Sequence, residues 1–236
     1  MLVASMNSQE LYNEIAKDDR KLRETTLKRI MDEYDRERKK LKIKKENNYF
    51  KIYKVKTAAK NNWLLYIHKC HTEEQYRGPE SARYMNVAYY YDSVGLKVVS
   101  IGYENMLTTY NGHFFKRYNE RIGLNLSQPL DIVNAFFANC GYVHADVIEK
   151  KDRLSLFGVV KDGLMLGDYH QNPVTLEWKT FITRDLKKAE QDNMEKDLIE
   201  GLQMQVIRAR QQDTYNPLIL ARTKEIFKAI TGRCTA

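Results

Sequence analysis

Cysteine is scarce in this chain, and that scarcity removes a class of architecture. Only Cys70, Cys140 and Cys234 occur in 236 residues, an odd number at wide spacing, which argues against a disulfide framework and fits a reducing compartment. Proline is rarer still for its usual frequency, with four residues, and glycine numbers 11, so collagen-like and low-complexity chains are excluded. No apolar run approaches the roughly 20 residues that a spanning helix needs, and the first residues lack the charged-then-apolar order of a secretory leader. A cytoplasmic setting is the expectation. A phosphate-binding glycine loop, a Walker-type sequence and a Gly-x-Ser-x-Gly elbow are all missing, so nucleotide hydrolases and serine hydrolases are not expected.

What is present begins with charge. The net charge of +8 is local: from Arg36 to Lys60 there are 11 Lys or Arg against two Glu, and the rest of the chain is close to neutral. Arg38, Lys39, Lys40, Lys42, Lys44, Lys45, Lys51 and Lys54 make this segment the candidate nucleic-acid contact, because phosphates neutralised by cations release condensed counterions. A solvated helix end running into a lysine-guarded edge strand would give the same pattern. Tyr49, Phe50, Tyr53 and Trp63 lie among these lysines; they read as a stacking platform for bases or as the buried face of a strand.

Periodicity sets the fold class. Ser8 to about Lys45 reads as one long helix or two in series, with Leu11, Ile15, Leu22, Leu27, Ile30, Met31, Tyr34 and Leu41 spaced irregularly near the helical period. Asn7 or Ser8 can cap its start. The heptad is too broken for a coiled coil, so the stripe either docks on the domain or dimerises. Period-two patterns follow in two hairpins, Tyr49 to Cys70 and Met85 to Tyr103, where Met85, Val87, Tyr89 and Tyr91 share a face expected to meet the core.

Two helices come next: one around His113 closed by Gly123, and one opened by Pro129. A meander of three strands is expected over Arg153–Val160, Leu164–Tyr169 and Thr175–Thr183, then helices from Leu186 to Arg210 and from Asn216 to Gly232. The whole reads as α+β, an antiparallel sheet with helices packed on it and helical extensions at both termini. Three regions follow: a charged helical segment 1–46, an α+β core 47–184, and C-terminal helices 185–236.

The stretch from Tyr110 to Gly123 looks most like a site. His113, Arg117 and Arg121 recur every four residues, which puts an imidazole and two guanidiniums on one helix face, opposite Phe114, Phe115, Tyr118 and Ile122. A titratable base beside planar cationic forks suits metal-free cleavage of a phosphodiester. Any amphipathic surface helix shows such a stripe too. His68, Cys70 and His71, with Cys140 and His144, supply nitrogen and sulfur donors, but neither group has zinc-finger spacing. Neither a metal site nor a cofactor is expected.

The helix motif His-x-x-x-Arg-Tyr-x-x-Arg, the strand pair around Asp162-Gly163 with Leu164-Met-Leu-Gly167, and the strand Trp178-Lys-Thr-Phe-Ile-Thr183 together resemble the barnase, EndoU, colicin and RelE-like superfamily of metal-independent ribonucleases. The resemblance covers about residues 110 to 191. It implies His113 as acid or base, Arg117 as phosphate ligand and Thr180 as a hydroxyl donor from the strand, with Arg121 and Tyr118 as weaker matches. The expected function is thus cleavage or binding of RNA. The alternative is a non-enzymatic module that binds nucleic acid or a protein partner through the basic segment and the long helices, a homodimer through the N-terminal helix included.

Overall fold

The computed structural model describes residues 1–43, 50–69, 82–102, 106–140, 143–150 and 153–211. The expected final helix, together with Lys44, Lys45, Cys70 and His71, lies outside the described residues. Among those described are five α-helices and nine strands, and the fold is α+β. No described helix is long and apolar enough to cross a membrane. Two compact units divide the chain, Met1–Thr109 with Gln171–Thr175, and Tyr110–His170 with Leu176–Ala236. The division falls at Tyr110 rather than at the composition change near residue 46, because the N-terminal helices form a core with the strands that follow them.

In the first unit α1 (Ser8–Leu22) and α2 (Lys28–Ile43) are joined by a π-helical turn, Arg23–Leu27. Asn7 caps α1 in a reciprocal box with Glu10: the Asn7 side chain accepts from the Glu10 amide, and the Glu10 carboxylate accepts from Asn7 N at 2.9 Å. The π turn accounts for the irregular spacing. It widens one turn by a residue, so that the five-residue step from Leu22 to Leu27 keeps Leu11, Ile15, Leu22, Leu27, Ile30 and Tyr34 all buried.

These side chains pack with Trp63, Leu65, Ile67, Ala88, Val99 and Leu107. The stripe that could have formed a dimer therefore serves the chain's own core. The strands beneath it are β1 (Phe50–Lys56), β2 (Asn62–Lys69), β3 (Ala82–Asp92), β4 (Gly95–Ile101) and β5 (Leu107–Asn111), ordered β1-β2-β3-β4-β5. The first two hairpins stand as expected: β1 pairs antiparallel with β2 from Phe50↔His68 to Lys56↔Asn62, and β3 with β4 through Asp92↔Gly95. Val87 is buried, as its face predicted, but Tyr91 on that same face is exposed.

The second unit carries α3 (Gly112–Ile122) and α4 (Pro129–Asn139), then β6 (His144–Lys150), β7 (Arg153–Val160), β8 (Gly163–Gln171), β9 (Val174–Ile182) and α5 (Ala189–Gln211). Its strand order is β9-β8-β7-β6. Tyr110, Phe114, Phe115, Tyr118, Phe136 and Phe181 interlock edge to face with centroids 5.0–6.5 Å apart, the offset geometry that ring quadrupoles favour. Leu202 of α5 joins Phe157, Val159 and Leu164 of β7 and β8. Arg184 ties the start of α5 to the β7–β8 turn, donating to Glu195 at 2.8 Å and to the carbonyls of Val160 and Lys161.

Candidate functional site

Helix α3 is held firmly at both ends. The Asn111 side chain accepts from Phe114 N at 2.9 Å, and Gly123 closes the helix with φ +70°, the left-handed backbone that glycine adopts without penalty. Between these caps the polar stripe divides into two parts. His113 is exposed, and its Nε2 lies 3.4 Å from Arg117 Nε; Arg117 in turn pairs with Glu120 at 3.1 Å. Arg121 instead donates to the main-chain carbonyl of Phe181, which fixes α3 to β9.

Tyr118 is wholly buried, and its hydroxyl donates to Asp162 Oδ2 at 2.9 Å. The Cys140 thiol lies 3.3 Å from the same oxygen. Burial, reinforced by the Asp162 charge, pushes the Cys140 thiol up to about 12, and burial likewise raises the Tyr118 phenol. Both groups stay protonated and join α3 and α4 to the β7–β8 turn.

Thr180 does not meet His113. Its neighbour Phe181 packs on Phe114 and Tyr118 of α3, and successive side chains on a strand point to opposite faces, so the Thr180 hydroxyl is turned away from α3. The structure thus brings His113, Arg117 and Glu120 together as an exposed cluster. Tyr118 and Arg121 serve packing, and Thr180 belongs to another face. His144 is set into β6, where burial lowers its pKa against the opposing effect of Asp146; Cys140 is taken up by Asp162.

The basic segment has a similarly mixed fate. Arg38, Lys39, Lys40 and Lys42 stand on the last turns of α2, with side chains outside the described residues. Lys51 is not an available cation: it bridges Glu33 at 2.7 Å and Glu37 at 3.3 Å and lies over the Tyr53 ring. The hydrogen bond it donates to Glu33 holds its ammonium well above the usual lysine range. Lys54 and Lys56 alternate to the opposite face of β1, where both are exposed and form no ion pair among the described residues.

Phe50 shares that face. It is 43% exposed and stacks on the buried Tyr66, with ring planes 15° apart. Trp63, in contrast, is 1% exposed and donates its indole N–H to Asp18 at 2.8 Å, so it is a core residue and no stacking platform. Sequence reading also missed the group on β8 and β9 formed by Asp168, His170 and Glu177, whose ligand atoms all lie within 4.8 Å of one another. The alternation of Asp168 and His170 along one strand was its only signal. No protein-family profile, curated protein or solved structure matches this chain.

Proposed function

We propose that this protein is a non-enzymatic module that binds single-stranded RNA along β1, on the strand face that carries Phe50, Lys54 and Lys56, with Phe50 as the stacking residue and the two lysines on the phosphates. The observation that carries this reading is the sharing of one strand face by an exposed aromatic ring and two exposed lysines. A base stacked on an aromatic side chain contributes about 1–3 kcal/mol, and lysines two residues apart follow a backbone. Tyr66 beneath Phe50 holds its ring at a fixed tilt.

Cleavage needs more than binding does. A base must face the phosphate ligand and a proton donor across a cleft, whereas His113 is exposed and Thr180 points elsewhere. Fluorescence anisotropy with a labelled oligouridine across a salt series tests the proposal. Binding should weaken steeply with salt, Phe50→Ala should cost about tenfold in affinity, and Lys54→Gln or Lys56→Gln should each flatten the log–log salt slope by about 0.7. Equal binding by all three variants and the wild type would overturn it. RNA cleaved in chelator by wild type, and left intact by His113→Ala and Arg117→Ala, would return the function to a metal-independent endoribonuclease.

A further inference from the structure

Tyr91 has the parity of a core residue and the exposure of a surface one. Direct pairing across the strands fixes its face: Lys56 of β1 stands opposite Asn62 of β2, Asn62 opposite Tyr89 of β3, and Tyr91 opposite Leu96 of β4. Opposed residues of antiparallel strands, and residues two apart along one strand, project to the same side. Phe50, Lys54, Lys56, Asn62, Tyr89 and Tyr91 therefore share one face. Leu64, Tyr66, Val87 and Val98, in the middle of that face, are fully buried. The open positions form its rim, which runs about 20 Å along β1 from Phe50 to Lys56 and then crosses two strand spacings, about 10 Å, to β3.

Tyr91 is 58% exposed, and an aromatic ring that stands in water at a fixed place offers a base a face to stack on. The turn that follows holds its backbone. Asp92 Oδ1 accepts from Val94 N at 2.8 Å and from Gly95 N at 2.9 Å, and Gly95 takes a φ of +132° that a side chain would resist. The Asp92 charge, which would repel a phosphate, is met by Lys97 at 3.8 Å. Tyr89, partly buried, stands two residues earlier on the same face; burial raises its phenol, and proximity to Tyr91 adds to the rise.

We infer that the RNA strand bound along β1 turns at Lys56 and continues to β3, where Tyr91 forms a second base-stacking subsite. The inference rests on the RNA reading of β1 and extends the ligand to a run of several unpaired nucleotides, with one base on Phe50, phosphates on Lys54 and Lys56, and a further base on Tyr91.

Anisotropy with a labelled dodecauridine and the full chain tests this. Tyr91→Ala should lose about tenfold in affinity with the salt slope unchanged, because a stacked base releases no counterions. Tyr91→Phe keeps the ring and should bind as the wild type does, and thermal melts of both variants should match the wild type. With 4-thiouridine in the strand, photo-cross-linking to the wild type should label the β3 peptide that contains Tyr91 as well as β1. Full affinity in Tyr91→Ala beside a loss in Phe50→Ala, an equal loss in Tyr91→Phe, or label confined to β1 would each overturn the second subsite and leave the β1 reading standing. A wild type that does not bind would remove both.

Discussion

At Asp18 a single carboxylate oxygen accepts from Thr57 Oγ1 at 2.7 Å, Asn61 Nδ2 at 2.9 Å and Trp63 Nε1 at 2.8 Å. The residue is nearly buried on a helix that otherwise reads as amphipathic, and Asn61 carries the network onward by accepting from Leu2 N at 2.6 Å. Asp18→Ala would strand the Thr57 and Trp63 donors and leave the Asn61 amide with Glu14 alone, and urea denaturation should register a loss of about 3 kcal/mol with an unchanged slope. Cys140 offers a chemical check of the second unit. A thiol pushed up to about 12 presents almost no thiolate at pH 8, so Cys140 should resist Ellman's reagent until the protein unfolds. His144 supplies a pH test. Burial depresses its folded-state pKa below the unfolded value of about 6.5, so below pH 6.5 the unfolded chain binds more protons than the native one. Stability is complete above that pH and declines as the pH falls through the folded value. The melting temperature should drop between pH 7 and 5, and His144→Gln should drop less. None of these three roles could be read from sequence, because each depends on a partner at least 22 residues away or on burial supplied by another element.

Among the elements, those with a strong local pattern stood where the sequence put them: both early hairpins, the helix opened by Pro129 and the helix closed by Gly123. The Gly123 cap is purely conformational, since a Cβ there would meet nothing within 4 Å. Gly123→Ala should therefore cost about 1 kcal/mol through φ alone, measurable in the same denaturation experiment. Strands β5 and β6 went unread. Leu107-Thr-Thr-Tyr-Asn111 is only five residues long, and His144–Lys150 mixes acids and bases with Val147 and Ile148, so neither shows alternation that stands above chance. The candidate site was legible in part for a similar reason. Spacing placed His113 and Arg117 on one face of α3 correctly, but it could not show that Arg121 is drawn to the Phe181 carbonyl. On β1 the lysines and aromatics were evident, and which of them faced the helices was not. Lys51 differs from Lys54 only in the parity of its position.

For the molecule as a whole, the apolar stripe of the N-terminal helices belongs to the core of the first compact unit. The N-terminal helices supply half of the core against which β1 packs, so removing residues 1–43 should abolish folding of the first unit, as judged by circular dichroism, and with it the proposed RNA binding, as judged by anisotropy. The chain holds two tryptophans, and they fall one to each unit: Trp63 in the first and Trp178 in the second, both 1% exposed. Each unit thus contains its own fluorophore in a dry setting, and the Asp18 bond to Trp63 gives the first a distinct neighbourhood. Trp63→Phe and Trp178→Phe proteins would each emit from one unit alone, so coincident or separated denaturation curves would tell directly whether the two halves unfold as one cooperative body.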